Sequence, residues 1–552
     1  MAGMIVCPEP LAAVAGRDML AAGGNAIDAA VAAAFVQGVS NPLLCGIGGS
    51  GLLYHYAATQ RRRVVLNGEA SIGSRPVPAG WATECAGRAE TVGRYILRSE
   101  ANQVGHQSVM TPGFVRCCQD AYQRYGSGRL TWAELLTPAI RLARDGFEVY
   151  PYIAAFWQRT AARPGYPDLA TKLAATPDAA QIYRKPDGRA YGVGDRLVQA
   201  DMARTLERLA HAGAEDFYTG EIAHLIAADF SRHDGFITSD DLRDYATQDE
   251  AVLCGHYRGL EVTSARAPST GPQLIELLHI LEHFDLVALG HNTAEYIDLV
   301  AQVQRASFAD CIALNGVDAE AAEPVEQATI SRERAAYWAG RIRGGDRIVV
   351  GGGVVSAGTT HLTCIDADHN IACFNHSIGS VAGSGVITSG LGFLYNNFLG
   401  HYNPIPGQYN SIAPGKRMGG SQATIVFKAG APYIAIGAPG GSRIVTACMQ
   451  ALVNVIDHGM DMGSAVSAPR FHSEERQLII LEPQFTEALS DRLRAIGNTV
   501  ARSAYQARVQ AIRVLPDGEL EAGPDPRGGR GVGYHTSASL GHQDRPIHPT
   551  EN

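Results

Sequence analysis

The sequence predicts an α/β protein with its helices mostly before residue 345 and its short strands mostly after it. Two observations carry this. Apolar residues recur at helical spacing in several stretches of the earlier part, and β-type runs separated by turn residues dominate the later part. The change of character near residue 345 is the strongest internal boundary. No repeat of 20 to 50 residues and no low-complexity tail interrupts the pattern.

In chain order, "AGRDMLAAGGNAIDAAVAAAFVQGVSNP" predicts two helices, one closed by Gly23-Gly24 and an alanine-rich one ending before Pro42. "CGIGGSG" reads as a tight turn and "LLYHYA" as a strand. "RLTWAELLTPAIRLARDGFEV" gives an amphipathic helix stopped at Gly146. "MARTLERLAHAG" and "PQLIELLHILEHF" continue the helical pattern. "RIVV", "HLTCIDA", "IACFNHS", "ATIVFKA" and "PYIAIGAP" then read as strands, and "RIVTACMQALVNVIDHG" as a helix.

Composition removes several function classes. The 552 residues are 46% hydrophobic and 18% charged, enough apolar content for a large core. A net charge of −9 without any lysine- or arginine-rich block offers nothing for nucleic acid. The most apolar segment, Ala26–Val39, is too short to span a bilayer and contains Asp28 and Gln37. Pro8, Glu9 and Pro10 break the N-terminal apolar stretch, so no signal peptide and a cytoplasmic location are expected. The ten cysteines are scattered without a C-x-x-C pair, as expected of reduced thiols.

"GIGGSG" (Gly46 to Gly51) formally matches a dinucleotide fingerprint. That motif must follow a strand and open a helix, and here the predicted order is reversed, so a packed turn is the better reading. No metal-ligand spacing and no G-x-S-x-G elbow occur, so neither metal nor cofactor is predicted. His361 and His376 fall in adjacent β-type segments that place them within reach of each other. Ordinary hydrogen-bonded histidines are the plainer reading.

Thr359 carries the chemistry. A threonine hydroxyl is a weak nucleophile until a base lies beside it, and cleavage of the preceding peptide bond would make its own α-amino group that base. An α-amino pKa of about 7.7–8.0 suits the task near neutral pH. The run "GGGVVSAGTTHLTCID" provides the flexible backbone that self-cleavage needs, which makes Gly358-Thr359 a chemically reasonable processing site.

These residues, with "AAGGNAIDAAVAAAFVQGVSNPLLCGIGGSGLLYHY", "VMTPGFVRCCQDAYQRYGSGRLTWAELLTPAIRLARDGFEV", "DGFITSDDLRDY", "GLGFLYNNF", "GAPGGSRI" and "LPDGELEAGPDPRGGRGVGY", resemble the γ-glutamyltranspeptidases in order along most of the chain. The resemblance implies a four-layer αββα N-terminal-nucleophile hydrolase. One precursor would be cut into a large chain (1–358, with a linker at about 346–358) and a small chain (359–552). Those two chains would be the working heterodimer, alone or paired. By the "TTH" motif, Thr359 corresponds to the nucleophile. Ser377 stands where the family usually has a threonine that positions the nucleophile. Gly440 and Gly441 correspond to the oxyanion donors.

The same resemblance locates the departures. Gly68 stands at the arginine that holds a γ-glutamyl carboxylate. Phe398 and His401 replace the glutamine and aspartate that hold its ammonium. Gly419 and Gly420 replace paired serines, and Gly379 an asparagine. Loss of a bidentate arginine removes the strongest geometry-specific partner of a carboxylate. The expected substrate is therefore a small non-γ-glutamyl amide, with oxamate-type amidohydrolysis preferred and His401 or Arg443 available for a small acidic group. A genuine γ-glutamyltransferase or glutathione hydrolase, and an unprocessed binding protein, are the alternatives.

Overall fold

The computed structural model describes residues 2–89, 94–158, 165–314, 319–350, 358–504 and 507–536. Residues 351–357, most of the expected linker, lie outside the described residues.

Two antiparallel sheets form the centre. The first runs Gly531–Thr536, Ala2–Cys7, Gly358–Ile365, Ile371–Gly379, Ser50–Ala57, Arg62–Gly68 and Gln248–Glu250. The second runs Leu520–Pro524, Gln510–Val514, Ala431–Gly437, Ala423–Lys428, Leu260–Ser264 and Leu253–Tyr257. Alternate residues such as Val6, Tyr54, Ile365, Cys373, Ile425 and Ile512 fill the space between them. Opposite faces carry helices, giving the αββα order.

Helix Ala26–Ser40 shows why the first sheet is covered so closely. Its small side chains let it lie near the strands, and every residue in it is buried. Asn25 and Asp28 form a reciprocal capping box at its start, worth about 1 kcal/mol. Asp366, in the turn joining the two central strands, accepts the Ala26 N–H at 3.0 Å. On the second sheet, helix Gly271–Leu281 is buried on all sides between strands and the helices Ala294–Leu314 and Arg332–Arg343.

The predicted helices all form: Pro10–Ala21, Ala26–Ser40, Trp132–Asp145, Ala200–Ala212, Gly271–Leu281 and Arg443–Ile456. "RIVV" does not form a strand. Its polar backbone is held by side chains instead, Ile348 N–H by Gln302 at 2.9 Å and Ile348 C=O by Gln477 at 2.8 Å. Both sheets also take strands from both sides of residue 358, so strands such as Ala2–Cys7, Arg62–Gly68 and Leu260–Ser264 add to the β content expected mainly after residue 345.

Candidate active site

The two central strands meet at an irregularity. Gly358 lies opposite Gly379 and Thr360 opposite His376, so Ser377 and Ile378 together face Thr359. Such a bulge re-aims side chains at the end of a ladder. Here it lets Thr359 Oγ1 donate to Ser377 Oγ at 3.3 Å, while Ser377 Oγ accepts the N–H of Gly379 at 2.9 Å. The "GIGGSG" turn follows a helix and precedes a strand, and it backs this pair. A Cβ on Gly49 would lie 2.1 Å from the Ser377 carbonyl oxygen.

Thr359 and Thr360 have different surroundings. Thr360 is fully buried on the helix side, where its hydroxyl donates to Glu9 at 3.0 Å and accepts from Gln37 at 3.0 Å. Glu9 also accepts from Gln37 at 2.5 Å and from Asn41 at 2.7 Å. Burial raises its carboxyl, and these hydrogen bonds work against that rise. Thr360 is thus saturated by structural partners. Thr359 lies on the opposite face, toward the second sheet.

His361 and His376 do not face one another, because residues offset by one register position point to opposite faces of a sheet. His361 bonds Asn375 and Thr363, each at 2.9 Å, and His376 bonds Gln37 at 2.8 Å. Burial pushes both imidazoles down to about 3, so both are neutral.

The turn after strand Ala431–Gly437 is tied to the two central strands by Asn375, whose amide donates to the Ala438 carbonyl at 3.2 Å. Gly440 and Gly441 follow with φ of +148° and +67°, conformations that side chains rarely adopt. Ala507 packs under Gly440, with its Cα 2.6 Å from where a Cβ would be, and Arg508 N–H donates to the Pro439 carbonyl at 3.0 Å. A buried ion pair, Arg470–Asp525 at 2.6 Å, anchors that support. Arg470 donates to the Ala507 carbonyl and Asp525 accepts the Val509 N–H.

The remaining positions named from sequence are placed as follows. Gly68 ends its strand with Cys117 Cβ 2.4 Å from the position of an added Cβ, so no side chain fits there. Gly379 has φ +94°, and an added Cβ would lie 2.4 Å from Asn397 Oδ1. Phe398 and His401 belong to a buried 3-10 turn. The His401 ring is driven well below its ordinary pKa by burial and then by the charges of Arg94 and Arg88. Gly419 packs on Pro268, and Gly420 N–H donates to the Pro268 carbonyl at 3.1 Å. Arg443 opens its helix and faces Glu474, whose carboxyl lies below its usual range. Burial works against this, and His472, Ser442 and Arg443 outweigh it.

Sequence reasoning missed Glu9, Gln37, Asn41 and Arg94, which reach the site from distant segments without any spacing motif. Among the described residues, no helix is long and apolar enough to cross a membrane.

Comparison with known proteins agrees with this geometry. The family described as Gamma-glutamyltranspeptidase matches residues 12–534. Acylase ACY 1 proenzyme of Pseudomonas sp. (strain V22) is 35% identical, over 94% of this chain and 91% of the relative. Glutathione hydrolase proenzyme of Escherichia coli (strain K12) is 30% identical, over 95% and 90%. The crystal structure of cephalosporin acylase from Bacillus halodurans superposes with a TM-score of 0.83 at 28% identity, covering 96% of this chain and 95% of that one. With two stacked sheets, a threonine at the head of a central strand and matches along nearly its whole length, the chain belongs to the gamma-glutamyltranspeptidase family of N-terminal-nucleophile hydrolases.

Proposed function

We propose that this protein cuts its own Gly358–Thr359 bond and then hydrolyses the amide bond of a small metabolite through an acyl-threonine intermediate. The observation that carries this reading is the Thr359 hydroxyl, bonded to Ser377 at the head of its strand while Thr360 is tied up by Glu9 and Gln37. In the cleaved chain, the Thr359 α-amino group takes the hydroxyl proton as Oγ1 attacks the acyl carbonyl. Ser377 orients Oγ1, and the N–H groups of Gly440 and Gly441 receive the developing oxyanion. The amine leaves with the proton, and water releases the acid by the same route in reverse.

The acyl group is not γ-glutamyl in this reading. Gly68 and Gly379 have no room for the side chains that would grip one, and the charges that act on the buried His401 are those of Arg94 and Arg88. The acylase names among the relatives support amide hydrolysis, and oxamate-type substrates are preferred. A cytoplasmic location is part of this reading and rests on the scattered cysteine pattern of the sequence.

The test is ammonia release from a panel of small amides, oxamate included, beside p-nitroaniline release from γ-glutamyl-p-nitroanilide. Turnover of small amides with poor release from the γ-glutamyl anilide is expected. The reverse preference would favour the glutathione-hydrolase alternative.

A further inference from the structure

A group of metal-ligand side chains lies outside the residues assigned above. His106 opens the short turn His106–Ser108. Asp229 belongs to helix Glu221–Arg232, and His233 is the first residue beyond that helix. Asp229 and His233 are one helical turn apart, while His106 comes from 123 residues away, so no local spacing announces the set. Coordinating atoms of all three lie within 4.8 Å of one another, the only such group of His, Cys, Asp or Glu among the described residues.

The distances suit ligation. His106 Nε2 lies 3.2 Å from Asp229 Oδ2, and His233 Nδ1 lies 3.2 Å from Asp229 Oδ1. A zinc ion bound at about 2.0–2.1 Å in a tetrahedron keeps its ligand atoms about 3.3 Å apart. Thr388 Oγ1 donates to Asp229 Oδ2 at 2.7 Å and is bonded to the Tyr395 hydroxyl at 2.9 Å, outer contacts that orient the carboxylate. With Thr388 and His106 already on Oδ2, the aspartate needs no second imidazole to be satisfied. His106 and Asp229 are buried, but the His233 side chain is 53% exposed, so the cluster opens to solvent on one side. That side gives an ion its entry path and water a place as fourth ligand. The His106 and His233 rings are stacked, with centroids 4.3 Å apart, and ligation requires the exposed His233 ring to tilt off this stack. Arg232 reaches Asp229 only at 3.7 Å and from an exposed position, with solvent to withdraw into.

We propose that His106, Asp229 and His233 bind one zinc-type divalent cation, with water completing the tetrahedron. Both imidazoles coordinate as neutral rings and Asp229 as a carboxylate, and the ion takes the place of the protons now shared between them. Its role follows from what it joins. The His106 turn is tied to the 384–388 segment by the Gly105 N–H, which donates to the Ser384 carbonyl at 3.0 Å, and the helix is tied to it by Thr388. The ion therefore fastens two distant segments before residue 358 to one after it. This does not depend on the reaction proposed for Thr359.

The test uses the whole purified protein, stripped with a chelator and desalted. Calorimetry with zinc chloride should find one site, and Co2+ in its place should show the strong visible absorption of tetrahedral coordination. Zinc should raise the thermal unfolding midpoint, whereas Mg2+, which demands octahedral oxygen ligands, should not. Thr388→Val removes an outer partner only and should weaken zinc binding roughly 10- to 100-fold. His233→Ala should weaken it further and remove the zinc-dependent rise in midpoint. A wild type that binds no zinc overturns the proposal, and so does a midpoint raised equally by Mg2+. Zinc binding that His233→Ala leaves intact also overturns it, because the ion is then held by other histidines. His233 is exposed, so this variant decides the matter even if His106→Ala does not fold.

Discussion

Thr359 and Ser377 are eighteen residues apart in sequence, yet their hydroxyl oxygens lie 3.3 Å apart because a bulge sets two residues of one strand against one of the other. Ser377 Oγ accepts from both Thr359 Oγ1 and the Gly379 N–H, so in the proposed reaction it fixes the direction of the Thr359 hydroxyl. Ser377→Ala should lower kcat by about 10- to 100-fold, the worth of one such bond in a charged transition state. Ser377→Thr keeps the hydroxyl and should retain most activity. Steady-state kinetics on a turned-over amide reads both.

The adjacent threonines should separate cleanly. Thr359→Ala removes the nucleophile and should abolish cleavage and turnover while leaving far-UV circular dichroism unchanged. Thr360→Val removes a donor to the buried Glu9 carboxyl, which should destabilise the fold by about 1–3 kcal/mol. Denaturant unfolding measures that loss, and N-terminal sequencing should still find the small chain starting at residue 359.

Burial lifts the Glu69 carboxyl from 4.5 to about 7, against the opposing hydrogen bonds from Ser421 and Ser50. The folded state therefore holds this proton more tightly than the unfolded chain does. Below pH 4.5 both states are protonated and nothing is lost. Between pH 4.5 and 7 only the unfolded chain ionises, so stability falls as pH rises, by about 3 kcal/mol in total. Glu69→Gln should remove this slope. Unfolding curves at pH 5, 6 and 7 check it, and a slope equal to wild type would rule out Glu69 as its source.

His361 and His376, pushed to about 3, cannot titrate near neutrality. The acidic limb of the kcat/KM profile should instead follow the Thr359 α-amino group, whose ordinary value is about 7.7–8.0. His376→Gln should leave that limb where it is, although the exchange at a buried site costs stability. A displaced limb would give the histidine a share in proton transfer.

The Arg470–Asp525 pair is buried at both ends and holds the 507–509 segment beneath Gly440. Asp525→Asn leaves the Arg470 charge uncompensated and should cost about 3–5 kcal/mol. Because that segment supports the glycine turn, kcat should fall even at temperatures where the variant is folded. Thermal unfolding and kinetics on the same preparation test both effects.

Much of this was legible in the sequence. The helix Trp132–Asp145 is read from its amphipathic period and from Gly146 at its end, and the structure adds a capping box of Thr131 and Glu134 at its start. Thr359 is singled out in the sequence because N-terminal-nucleophile chemistry requires a hydroxyl residue after a flexible run, and its role stays a proposal, to which the structure adds the bond to Ser377. "RIVV" misled because β-propensity cannot tell a ladder from an extended segment held by Gln302 and Gln477. Strands such as Ala2–Cys7 and Arg62–Gly68 are as long as the later ones, but they stand singly between helices, away in sequence from the strands they pair with. Arg94 and Lys172 carry no local signal in the sequence, and their buried bonds to Asn397 and Ser380 follow only from packing.

The most direct measurement is the intact mass of the purified protein with sequencing of every N-terminus. Two chains are expected, the smaller beginning Thr359-Thr360-His361, and in Thr359→Ala one chain only. A wild-type protein that stays a single 58.6 kDa chain, or a small chain that begins at another residue, would contradict it.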